Sequence, residues 1–129
     1  MSGSVSRNFS SIATIVSAVT LHATSQTLSN AIDLATVGYE GFQVTIDITW
    51  HASGTENVRV DFYGSLDGTD YDDVPYSSVV LPVVANTTKQ YTFIVWDYLY
   101  TKIGLQNVAS DANGATITSK YRAWNRVTA

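Results

Sequence analysis

From Phe42 to Trp50 the chain alternates apolar and polar side chains with strict period two: Phe42, Val44, Ile46, Ile48 and Trp50 against Gln43, Thr45, Asp47 and Thr49. Successive side chains of a strand point to opposite faces, so this run has one apolar and one polar face. A second run repeats the pattern, with Val58, Val60 and Phe62 against Arg59, Asp61 and Tyr63. The segment between them, His51 to Asn57, is small and polar, and Gly54 within it is free to take positive φ. The spacing therefore predicts a β-hairpin over Gly41–Ser65. Two arms with one apolar face each need a second apolar layer, which points to a sandwich or barrel.

The rest of the chain reads the same way. Residues 1–11 are small, polar and unpatterned, and are expected to form an extended arm outside the core, free to lie across a neighbouring subunit. In Ile12–Leu21 the apolar residues Ile12, Ile15, Val16 and Val19 fall at helical spacing, but β-branching favours a strand. Gln26–Leu34 is a further strand with Leu28 and Ile32 inward. Tyr76–Ala85 is apolar but carries Pro82, which cannot donate to a ladder and so places the run at a sheet edge. Lys89–Trp96, Tyr100–Val108 and Ala115–Trp124 complete the set, with a turn at Ser110–Gly114. The expected fold is all-β: a single antiparallel β-sandwich, jelly-roll or Ig-like, of about eight strands over residues 12–129. Its expected core is Phe42, Val44, Ile46, Ile48, Val58, Val60, Phe62, Tyr91, Phe93 and Ile103.

Charge narrows the partners. The 129 residues carry a net charge of −4, and the 7 basic residues are scattered apart from Lys120, Arg122 and Arg126. Phosphate contacts need clustered cations, so nucleic acid is not the expected partner. No apolar run approaches the roughly 20 residues of a membrane span, and no secretory pattern opens the chain, so no membrane role is expected. There is no cysteine, which removes disulfides, thiolate metal sites and cysteine nucleophiles. Asn8-Phe-Ser10 and Asn86-Thr-Thr88 match glycosylation acceptors at the frequency chance gives a chain this rich in Ser and Thr.

Chemistry has few footholds. No Gly-x-Ser-x-Gly elbow occurs, and the two histidines, His22 and His51, fall in or beside turns, so no enzyme and no cofactor are expected. Asp67, Asp70, Asp72 and Asp73 are close enough to cage a hard cation, but their spacing lacks the EF-hand pattern, and a solvated turn is the expected outcome. The partner-binding candidates are two. One is the uncharged edge run Val79, Val80, Leu81, Pro82, Val83 and Val84. The other is the aromatic cluster Trp96, Tyr98 and Tyr100, residue types enriched at interfaces and on sugar-stacking platforms.

The segment Val58-Arg-Val-Asp-Phe-Tyr-Gly-Ser-Leu-Asp-Gly-Thr-Asp-Tyr71, with the later Lys102-Ile-Gly-Leu-Gln-Asn-Val108, resembles small all-β virion proteins of tailed bacteriophages. In those a strand ends in Ser-x-Asp-Gly-x-x-Tyr. The resemblance implies a capsid decoration or cement protein, located in the virion on the capsid surface. Its partners would be the major capsid protein or other virion proteins, and it would work as a homo-oligomer such as a trimer. A neck or tail component is the alternative within that class. A carbohydrate-binding or adhesin-like module is the alternative outside it, although such modules usually carry Trp where this chain has Tyr71.

Overall fold

A computed structural model describes residues 5–36, 38–96 and 99–128. Ten strands run through them: β1 (Val5–Phe9), β2 (Ala13–Leu21), β3 (Thr27–Leu28), β4 (Ile32–Asp33), β5 (Gly41–Thr49), β6 (Val58–Ser65), β7 (Ser77–Leu81), β8 (Thr88–Trp96), β9 (Tyr100–Asn107) and β10 (Ala115–Thr128). They form two antiparallel sheets of five strands each. In the first, β10 lies between β5 and the end-to-end pair β1 and β2, and β8 closes the far side of β5. In the second, β9 lies between β6 and the short strands β3 and β4, and β7 closes the far side of β6. The orders β2-β10-β5-β8 and β4-β9-β6-β7, with most connections crossing between sheets, are those of a jelly roll.

The predicted hairpin is corrected by this topology. β5 and β6 do not pair but belong to different sheets, each with its apolar face turned inward. Alternation fixes which face is buried and leaves the lateral neighbour open. Ile46 lies opposite Ser119 of β10 and Tyr91 of β8, neither of them on β6. The connection 50–57 tucks Trp50 under the end of the sandwich, where its N–H bonds the Thr87 carbonyl at 3.0 Å. That leaves enough chain to span the roughly 10 Å between layers.

The core matches expectation along β5, β6 and β9, where Phe42, Val44, Ile46, Ile48, Val58, Val60, Phe62 and Ile103 are buried. Tyr91 and Phe93 pack against it half-buried because β8 is an edge strand, and Phe93 meets Phe62 edge-on at 5.5 Å. β2 is a strand, as its β-branching predicts. A bulge at Ala18 (φ 48°) and register shifts against β10 explain why Ile15 and Val16 are buried in succession.

One further expectation is corrected. Leu28 points outward, because the chain kinks between β3 and β4 and Ser29 turns in instead. The Ser29 hydroxyl accepts the Ile103 N–H at 2.9 Å and donates to the Asn30 carbonyl. Residues 5–9 of the expected arm form β1, paired along this chain's own β10 from Val5↔Thr128 to Phe9↔Trp124.

Candidate functional site

The outer face of the first sheet is organised in cross-strand rows. Phe9, Trp124, Gly41 and Trp96 share one row on β1, β10, β5 and β8. The next holds Arg122, Gln43 and Ile94, and the one after it Lys120, Thr45 and Thr92. In the first row the Trp96 and Trp124 rings meet edge to face, 4.3 Å between centroids. They reach each other because Gly41 has no side chain: a Cβ there would sit 2.8 Å from a Trp124 ring carbon and 2.5 Å from the Val95 carbonyl. The Arg122 guanidinium lies 3.9 Å over the Phe9 ring while its Nε donates to Gln43 Oε1 at 2.9 Å.

Beyond this aromatic row the face is hydroxyl-rich. Thr45 pairs with Thr92, Thr49 with Thr88 and Thr20 with Thr116, with Oγ1 separations of 3.3, 2.9 and 3.1 Å. A shallow trough of about 450 Å³ runs over Gln43, Thr45, Asp47, Gln90 and Lys120, with Ile12 on its rim. Outside the trough's own lining the same face carries an exposed apolar rim of Phe9 at 40%, Ile94 at 57% and Trp96 at 45%, which Ile12 at 69% joins. All four ride on strands or beside them, so the face is preformed.

The second sheet's outer face is already occupied by its own bonds. Asp61 is only 1% exposed, and its carboxylate accepts from Gln26 Nε2 (3.0 Å), Arg59 Nε (3.1 Å) and the Ser78 hydroxyl. Arg59 also donates to Gln106 Oε1, and the Tyr63 hydroxyl bonds Gln26. A buried charge is tolerated only when paired and hydrogen-bonded in this way. Beside the network a cavity of about 320 Å³ is lined by Leu28, Tyr63, Tyr71, Asp72, Asp73 and Lys102. Burial pushes the Tyr71 hydroxyl pKa up, with Tyr100, Asp33 and Asp67 adding to it. The Lys102 ammonium stands 4.6 Å over the Tyr71 ring, so that ring face is not open for stacking.

The sequence-predicted residues scatter over this frame. β7 is an edge strand of the second sheet, as Pro82 implies, but its apolar run is not an exposed patch. Leu81 is buried, Val79, Val83 and Val84 pack on the core, and Val83 N–H bonds Asn57 Oδ1; Val80 and Pro82 remain outside. One face of this edge strand is covered, and the chain turns inward after the proline.

The aromatic cluster is divided. Trp96 belongs to the first sheet's outer row, while Tyr100 begins β9 in the second sheet with its ring against Gly68. Tyr98 lies outside the described residues. Of the acidic loop, Asp67 Oδ1 accepts the backbone N–H of Thr69 (2.8 Å) and Asp70 (2.9 Å), and the Ser65 hydroxyl. Those bonds, the Asp70 N–H foremost, hold its pKa below the usual carboxylate value. Asp72 accepts the Gly64 N–H, and Asp70 and Asp73 are exposed. Among the described residues no three His, Cys, Asp or Glu side chains are grouped to hold a metal ion.

Sequence reasoning missed Phe9, Gly41, Arg122 and Trp124 as parts of one site. The available signal was a glycine opening a strongly patterned strand in a chain with tryptophans near the ends of two other strands.

No family model matches the sequence, and no curated protein matches it significantly. Solved structures are similar to it at low identity. The SPBc2 prophage-derived protein YomS is similar over 92% of this chain and 95% of its own, with 16% identity and TM-score 0.50. A subunit of the disulfide-linked pili that form Bacillus endospore appendages is similar over 99% and 91%, with 12% identity and TM-score 0.47. The sugar-binding C-terminal domain of EclA is similar over 97% and 79%, with 13% identity and TM-score 0.44.

Proposed function

We propose that this chain is a structural protein of a bacteriophage virion, a head decoration protein that docks as a homo-oligomer on the major capsid protein. The observation that carries the reading is the preformed rim of Phe9, Ile12, Ile94 and Trp96 on the first sheet's outer face, with Arg122 set against Phe9. Aromatic residues and Arg are the types enriched where protein meets protein, and a rigid sheet presents them without an ordering cost. The fold it shares with a prophage-derived protein agrees with this reading. Both histidines are held by the turns around them: His51 Nδ1 accepts the Ser53 N–H, and His22 Nδ1 lies 3.4 Å from the Asp111 carbonyl.

Cosedimentation with capsids lacking the protein tests the proposal. Ile12→Asp and Phe9→Ser should each abolish pelleting while leaving the circular dichroism spectrum unchanged. A second reading, a carbohydrate-binding or adhesin-like module, is favoured by the trough of Gln43, Asp47, Gln90 and Lys120 beside Trp96. Binding to a polysaccharide without binding to capsids would establish that reading and overturn the first.

A further inference from the structure

We propose that β8 is the subunit contact: it pairs antiparallel with β8 of a second copy about a two-fold axis at Thr92, fusing two first sheets into one. The contact deepens the reading above and rests on it for its role, while its geometry stands on the strand alone.

A free sheet edge invites another strand, and folded proteins blunt such edges with brevity, proline, bulges or charge. Among the described residues every other edge strand carries one of these devices. β3 and β4 have two residues each, β1 has five, and β7 has five followed by Pro82. β2 is broken by the bulge at Ala18. β8 carries none beyond one charge. It runs nine residues without proline or glycine, keeps unbroken register with β5 from Gly41↔Trp96 to Thr49↔Thr88, and has Lys89 as its one charged residue.

The phase of its backbone follows from one bond. Trp50 N–H donates to the Thr87 carbonyl, and this pair continues the β5–β8 register. In an antiparallel pair hydrogen-bonded and non-bonded positions alternate, so Ile48–Lys89, Ile46–Tyr91, Val44–Phe93 and Phe42–Val95 are the bonded pairs. Gln90, Thr92 and Ile94 therefore direct both N–H and C=O away from β5, towards the side where β8 pairs with no strand among the described residues. A two-fold axis at Thr92 matches those groups to themselves: Thr92 bonds Thr92 of the second copy, and Gln90 bonds Ile94 in both directions.

The side chains fit the same register. Thr92 meets Thr92, Tyr91 meets Phe93, and Lys89 meets Val95 instead of a second lysine. Tyr91, Phe93 and Val95 are half-buried at the open flank of the core, so the second copy completes their burial. A flank about 30 Å long and two layers deep approaches the ~800 Å² per partner that a stable contact buries.

Sedimentation of the full chain over a range of concentrations is the test, and a reversible dimer is expected. Thr92→Pro removes an N–H aimed at the open edge and no backbone bond to β5, only the exposed hydroxyl contact with Thr45, so it should give a folded monomer. Gln90→Lys with Ile94→Lys sets like charges opposite each other across the axis and should raise the dimer Kd about a hundredfold or more. Within one strand these two positions are about 13 Å apart, so the repulsion acts between copies. Gln90→Glu with Ile94→Lys should restore the dimer and make it salt-sensitive. A wild-type chain that stays monomeric, a dimer indifferent to the paired lysines, or loss without rescue overturns the Thr92-centred pairing. Capsid docking is judged separately, by the Ile12 and Phe9 variants, so the two proposals fail independently.

Discussion

Trp96 and Trp124 meet edge to face, their centroids 4.3 Å apart and their planes at 80°, across a gap that exists because Gly41 lies between them in the sheet. The pair caps the outer face of the first sheet outside the main core, and Trp124 is fully buried there. It ties three strands together, so the exposed rim around Trp96 has a rigid base.

Gly41→Ala should therefore destabilise the fold although it adds a single methyl group. The new Cβ meets the Val95 carbonyl at 2.5 Å and the Trp124 ring at 2.8 Å, and backbone cannot swing aside as a flexible side chain does. Overpacking of this kind costs about 1–3 kcal/mol, readable in urea denaturation followed by tryptophan fluorescence. A change under about 0.5 kcal/mol would show that the Trp96–Trp124 pair shifts freely.

How far residues announce their place in this fold depends on which physical rule governs them. Burial in β5 and β6 was readable because period two has one solution once a face must be dry: Phe42, Val44, Ile46, Ile48, Val58, Val60 and Phe62 all turn inward. Pairing was not, because backbone bonds are identical for any neighbour, so the expected hairpin became a crossing between sheets. Pro82 announced an edge through its missing N–H, but nothing local says that Val83 and Val84 fold back under the core. The aromatic row of the candidate site joins Phe9, Trp124, Gly41 and Trp96, residues brought together by the register of four strands. Only Trp96 of that row was singled out, and its expected companion Tyr100 went to the other sheet.

The acidic loop should keep its shape without a cation. Asp67 spends its carboxylate on the Thr69 and Asp70 N–H groups and the Ser65 hydroxyl, closing the turn from within. Excess chelator should leave the melting temperature unchanged, whereas Asp67→Ala should lower it with or without chelator. A drop on chelation that Asp70→Asn reproduces would instead make the loop a cation site.

Acid should loosen the end of the sandwich where Asp111 sits. Its Oδ2 accepts the N–H of Thr55 (2.9 Å) and Glu56 (3.3 Å), and its Oδ1 that of Asn113 (2.9 Å). The carboxylate thereby fastens the β5–β6 crossing to the turn before β10. Those bonds, with Thr55 the strongest and a smaller contribution from His51, hold its pKa below the ordinary value of 3.8. A group with a lowered folded-state pKa stabilises the protein fully above its unfolded value and progressively less as pH falls through the folded one. Asp111→Asn should thus melt well below wild type at neutral pH, because its amide presents one oxygen where three N–H donors converge. The gap between the two should narrow between about pH 5 and pH 2, as the wild-type carboxyl takes up its proton. Asp33 and Asp67 are lowered too, but both chains carry them, so the difference isolates Asp111. A gap that stays constant across that range would mean that the ionised form contributes nothing to the clasp.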